Sequence, residues 1–227
     1  MKYVLTKRPK NPTIVLGFPT IGLVSTIATK FLIDHLNVEV IGYLESEKII
    51  PLTAIHKSKI VEPITLYYNR NHNLIIVQSL TEINGLEWDT AETILEMAED
   101  LASKEILVLE SAPTSEGKLD IFYFSTGDKK TMNIEKLKEG IVMGMTAALL
   151  LKGQEFPITC FFAETQHDYP DSEAAARLVD ALNKYLGMKV DSKPLLKAAK
   201  EFEINLKKYM EKAKDMNPSN KDLGYIG

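Results

Sequence analysis

The sequence predicts an α/β fold: a mixed, mostly parallel central sheet flanked by helices on both faces, closed by a long C-terminal helix and a flexible tail. Three observations carry this. Apolar strand-like runs alternate with helix-length periodic segments along the chain. Several strands read as continuous hydrophobic runs, as in "TIVLG" and "ITCFFAET", which marks strands covered on both sides. Hydrophobic residues make up 45% of 227 residues, enough for a substantial core. One domain over residues 1–216 is expected, with 217–227 as the tail.

The elements follow in order. Thr13 to Leu16 is β-branched and stops at Gly17, a buried strand. Beyond "GFPTIG", Ile21, Val24, Ala28, Phe31 and Leu32 recur at helical spacing, and Leu23, Ile27 and Ile33 widen the stripe into a buried helix. "VEVIGYL" alternates as a strand, and residues 49–77 read as a β-meander with "NRNHN" as a hairpin turn. In "EWDTAETILEMAEDLASK", Ala91, Ile94, Leu95, Ala98 and Leu101 share a helix face, and Trp88 is expected to be packed. The strands "EILVLES" and "DIFYFST" follow, then "GIVMGMTAALLLKGQ" as a strand turning into a helix, then "ITCFFAET". Asp171 or Ser172 caps "SEAAARLVDALNKYLG", with Gly187 as its C-terminal stop.

Composition narrows the function classes. Lys and Arg number 27 against 31 Asp and Glu, a net charge of −4, which leaves no electrostatic footprint for nucleic acid or an anionic membrane. The longest apolar stretch, residues 141–151, is far short of the roughly 18–20 residues that span a bilayer. A single cysteine, Cys160, excludes an internal disulfide and fits a reducing compartment, so a soluble cytoplasmic protein is expected.

No constellation meets the geometric expectations of a catalytic site, so no catalytic residue, metal ligand or cofactor is assigned. "LGFPTIGLVS" lacks both phosphate-loop patterns and carries Phe18, Pro19 and Ile21 where such a loop needs bare backbone. It reads as a tight strand-to-helix turn, with Thr20 a candidate cap and Gly22 permitting close packing. "ETQHDYPDSE" gathers Glu164, His167, Asp168, Asp171 and Glu173, yet one histidine without a partner at metal spacing favours a loop and helix cap. A small-molecule enzyme or ligase with a site near Thr20 and His167 stays open as an alternative.

The final helix carries a heptad seam. Leu195, Ala199, Phe202, Leu206, Tyr209 and Ala213 step by 4, 3, 4, 3 and 4, with Glu201, Asn205, Lys208 and Lys212 on polar positions. It can pack on its own sheet or join a second copy, which makes those six residues candidates for an oligomer seam. An oligomeric scaffold with another client is a further alternative. The chain then ends in "NPSNKDLGYIG", a polar tether followed by Leu223, Gly224, Tyr225, Ile226 and Gly227. These apolar residues either dock on something or fray.

Two stretches carry a family resemblance. "IVLGFPTIGLVSTIATKFLIDHLNVEVIGYLES" resembles the opening strand, turn, helix and strand of the proteasome assembly chaperone family of archaea and eukaryotes. "FFAETQHDYPDSEAAARLVDALNKYLGMKVD" resembles its late block, and the similarity spans most of residues 13–210. The resemblance implies a topology related to nucleoside-phosphorylase-like domains without their active site. It further implies a non-enzymatic homo-oligomer that binds 20S proteasome α subunits on the outer face of their ring. The family docks through a C-terminal hydrophobic-Tyr-any residue motif in pockets between α subunits. By position, Tyr225 matches the tyrosine, Leu223 or Gly224 the hydrophobic residue, and Ile226-Gly227 the end. Tyr225 stands third from the end here, whereas the family's tyrosine is penultimate.

Overall fold

The computed structural model describes residues 1–56, 58–114, 119–127, 133–166 and 169–198. Among them the strands are β1 (Lys2–Leu5), β2 (Thr13–Gly17), β3 (Val38–Glu45), β4 (Ala54–His56), β5 (Lys59–Val61), β6 (Ile64–Asn69), β7 (Leu74–Ser79), β8 (Glu105–Pro113), β9 (Ile121–Ser125), β10 (Glu135–Lys136) and β11 (Ile158–Thr165). The helices are α1 (Val24–His35), α2 (Glu87–Asp100), α3 (Gly144–Lys152) and α4 (Ser172–Leu186), with a 3-10 turn at Ile21–Leu23 before α1.

Nine strands form one sheet in the order β1-β3-β6-β7-β2-β8-β11-β9-β10, and β4 and β5 form a separate ribbon. Its centre, β7-β2-β8-β11, is parallel throughout. On one side β6, β3 and β1 continue antiparallel; on the other β9 runs antiparallel to β11 and pairs in parallel with β10. The sheet is therefore mixed around a parallel core.

Period-2 geometry explains why that core is covered on both faces. Ile14 and Leu16 of β2 face one side together with Ile75 and Val77 of β7 and Ile106 and Val108 of β8. Ile94 and Met97 of α2 and Leu149 of α3 cover that side. Val15, Leu74, Ile76, Leu107 and Leu109 face the other, under Ala28 and Leu32 of α1 and Leu178, Val179 and Leu182 of α4. Each fully buried side chain of this size contributes about 1.5–3 kcal/mol. Helices on both faces are thus observed.

The local signals of α4 act as predicted. Asp171 accepts the Ala174 N–H at 2.8 Å, and Gly187 ends the helix in the left-handed region at φ 65°. Buried Ala174, Ala175 and Ala176 let the helix lie close to the sheet. Residues 193–198 open a further helix, where Leu195 is buried in the α1/α4 core. Of the other seam candidates, Ala199, Phe202, Leu206, Tyr209 and Ala213 lie outside the described residues, as does the tail 217–227.

Three expectations need correction. The segment before α3 is not a strand: residues 141–143 carry no regular structure, and Ile141 is 93% exposed. The chain here crosses from β10 at the sheet edge to the α2 face, so no neighbouring strand is available to pair with it. Trp88 is 53% exposed, because it stands in the first turn of α2, where that helix begins at the rim of the sheet. The residues before Thr13, for which no element is predicted, supply β1, which pairs with β3.

The join between β2 and α1 leaves no room for a side chain. A Cβ on Gly17 would stand 2.1 Å from Thr29 Oγ1 and 2.7 Å from Thr29 Cβ. Thr29 is buried and its hydroxyl donates to the Ser25 carbonyl at 2.8 Å, so the neighbour is fixed. Gly17→Ala is expected to cost about 1–3 kcal/mol, read as a lower urea midpoint at unchanged slope. A wild-type midpoint would show that α1 is free to move off β2.

Candidate functional site

Open parallel sheets leave a crevice beyond the carboxyl ends of their strands where successive connections leave on opposite faces. Here β2 leads into α1 on one face and β7 into α2 on the other. A cleft of about 590 Å³ lies at that position. Its walls come from the β2–α1 turn, the loop before α2, the end of β8, and the start of α3.

The β2–α1 turn is conformationally costly. Gly22 and Leu23 adopt successive left-handed conformations, φ 65° and 50°. Gly22 does so freely, whereas a leucine there costs on the order of 1 kcal/mol. The strained turn holds Ile21 and Leu23 at the rim, 43% and 41% exposed. Thr20 precedes the 3-10 turn without capping it by its side chain. Its hydroxyl lies 3.3 Å from Ser25 Oγ, and Ser25 in turn donates to the Phe18 carbonyl. Thr20 therefore tightens the turn through a side-chain pair, and the capping role expected from sequence is not the one it has.

The floor holds Glu110, near the end of β8. Thr146 donates its hydroxyl to Glu110 Oε2 at 2.6 Å, and the Ser111 N–H donates to Oε1 at 3.1 Å. No cation accompanies the carboxylate among the described residues that line the cleft. Burial pushes the Glu110 carboxyl above its ordinary range, and the two donors offset that only in part. Glu82, Asn84 and Glu87 stand at the mouth, with Asn84 Nδ2 donating to Glu82 Oε2 at 2.8 Å.

The second predicted stretch runs beside the first. The Asp171 N–H donates to the Gly22 carbonyl at 2.9 Å, so "GFPTIG" and the start of α4 share this edge of the sheet. The acidic residues there serve structure. Asp171 accepts from both Thr165 Oγ1, at 2.7 Å, and Ala174 N. Glu164 Oε2 accepts the Asp120 N–H at 3.0 Å, and Arg177 donates to the Glu164 carbonyl at 2.6 Å and lies 3.6 Å from the Glu173 carboxylate. His167 and Asp168 lie outside the described residues. Cys160 is fully buried in β11, and burial raises its thiol far above the range in which a thiolate forms.

Sequence reasoning missed Glu110, Glu82 and Glu87. The available signal was the charged residue inside the apolar run "EILVLES", since a carboxylate on a doubly covered strand needs a reason to be there.

Residues 14–210 match the model of the PAC2 family. The chain belongs to the PAC2 family. An uncharacterized protein of Methanocaldococcus jannaschii is 31% identical over 226 residues, covering 94% of this chain and 92% of the relative. Among solved structures, Pyrococcus furiosus PbaA, an archaeal homologue of proteasome-assembly chaperone, is 26% identical. It aligns over 95% of this chain and 98% of its own, at a TM-score of 0.82. Pyrococcus furiosus PbaB, an archaeal proteasome activator, shares the fold at 24% identity and a TM-score of 0.77, over 92% of this chain and 98% of its own.

Glu110 makes stability pH-dependent in a definite direction. Its folded carboxyl binds a proton more tightly than the unfolded one, so its contribution is fully present below the ordinary carboxylate range and is lost as pH rises through the raised folded value. Glu110→Gln keeps an acceptor for Thr146 and removes the charge. It is expected to be more stable than wild type at pH 8, the gain shrinking toward pH 4, as read by urea midpoints across pH. A variant less stable than wild type at pH 8 would contradict the assignment.

Proposed function

We propose that this PAC2-family chain is a non-enzymatic proteasome assembly chaperone or adaptor that binds the 20S α-ring through its C-terminal tail. The observation that carries the reading is the likeness to PbaA, which extends over nearly the whole of both chains. The β11–α4 connection fits a non-catalytic role: Asp171 caps α4, Glu164 closes a loop, and burial holds the Cys160 thiol protonated. On this reading one folded unit over 1–216 carries the tail 217–227 as a tether and plug.

The tail has suitable chemistry. Extended, its eleven residues would reach about 35 Å. Tyr225 supplies an apolar ring with a polar tip. Leu223 and Ile226 add apolar contact, and Gly224 leaves the backbone free to bend. Several tails on one homo-oligomer would meet a multi-pocket ring at raised effective concentration. The heptad seam from Ala199 through Phe202, Leu206 and Tyr209 to Ala213 would join the copies, while Leu195 anchors the helix to its own core.

Two experiments test this. Deleting residues 225–227 is expected to leave fold and oligomer unchanged and to weaken retention on isolated α-rings by about tenfold or more. Unchanged retention would remove the tail mechanism. Phe202→Glu with Leu206→Glu is expected to yield a smaller particle by light scattering with an unchanged circular dichroism spectrum. An intact oligomer would remove the seam.

A further inference from the structure

The cleft at the carboxyl edge is larger and more charged than the proposed tail mechanism requires. At about 590 Å³ it lies within the range of small-molecule sites. Its walls are apolar, with Phe18, Ile83 and Met145 buried and Ile21 and Leu23 at the mouth. Its ionisable lining residues are Glu82, Glu87 and Glu110, with no Lys, Arg or His among them.

Glu110 gives the cleft its chemical sense. Among the described residues each carboxylate oxygen has one neutral donor, Thr146 Oγ1 or Ser111 N, and no cation lines the cleft beside it. A carboxylate accepts about four hydrogen bonds, so it can take more donors from a ligand. A nucleotide or other phosphate would bring negative charge against all three glutamates and is disfavoured. An uncharged apolar ligand would strip water from Glu110 and return nothing. An aliphatic primary ammonium answers both demands, because its head offers three donors and a positive charge while its stem covers the apolar walls. The two left-handed residues at Gly22 and Leu23 hold the apolar rim in place at a conformational cost, as is common at ligand clamps.

We propose that the cleft between the β2–α1 turn, the loop before α2 and the start of α3 binds a small aliphatic primary ammonium compound, its cationic head on Glu110 and its stem along Phe18, Ile83 and Met145. This site is independent of the tail and of the oligomer. Glu82 and Glu87 at the mouth draw the cation in, and Thr146 orients the carboxylate that receives it.

Titration calorimetry on the full chain with n-hexylamine, 1-hexanol and hexanoate separates charge from stem. Hexylammonium is expected to bind one site per chain, hexanol at least about tenfold more weakly, and hexanoate not at all. Glu110→Gln is expected to weaken hexylammonium by about tenfold and leave hexanol unchanged. Equal binding of all three probes, or wild-type affinity in Glu110→Gln, would overturn the proposal. The double variant Glu82→Lys with Glu87→Lys alters only the mouth and serves as a second arm should Glu110→Gln fail to fold. It is expected to bind hexylammonium several-fold more weakly, and unchanged affinity there would also overturn the proposal.

Discussion

The structure depends on one constraint: the central strands are apolar on both sides and must be covered twice. In β2, Ile14 and Leu16 point to the α2/α3 face and Val15 to the α1/α4 face. β7 and β8 repeat the division in register, since Ile14 lies beside Ile75 and Ile106. A shift of one residue in any of these strands would exchange its two sets of side chains between the faces. Connections to both faces follow, and with them the crevice where the paths of β2 and β7 diverge. The cleft is therefore a product of the topology, and its chemistry is added by the residues at its rim.

Those residues set a polar and strained edge against a well-packed interior. Gly17 meets Thr29 with no room for a side chain, so the turn that follows is held at a fixed height above β2. From there the chain spends left-handed geometry on Gly22 and Leu23 and ties Gly22 to the start of α4. Glu110 brings a half-buried carboxyl to the same edge. Asp171 is engaged in the α4 cap and Glu164 in a loop bond, which separates these structural carboxylates from the ones left facing the cleft. On the proposed reading, the chain has two separable recognition devices: a tail for a large protein ring and a cleft for a small cation.

The sequence was readable where a local rule acts alone. Asp171 and Gly187 bound α4 because capping and left-handed termination need only neighbours in the chain. The strands "TIVLG" and "ITCFFAET" declared their double coverage through unbroken apolar runs, and the resemblance led to the family that the whole-domain match shows. It was less readable where partners are remote. β1 depends on β3 about forty residues away, and an edge strand needs little apolar signal of its own. Ile141 and Met143 look like strand residues but stand exposed, because their route is set by where β10 ends and α3 begins. Trp88 was expected inside on hydrophobicity alone, although the first turn of a helix at the sheet's rim has little to pack against. Glu110 was visible as a letter inside an apolar strand, but its meaning depends on Thr146, thirty-six residues later.

On the proposed function the tail, and Tyr225 in particular, makes the contact with the α-ring. Replacing Tyr225 with a photo-crosslinking phenylalanine derivative and irradiating the full chain with isolated α-rings tests it directly. Adducts are expected to map to the boundary between adjacent α subunits. Adducts confined to the chain's own domain or to its other copies would contradict it.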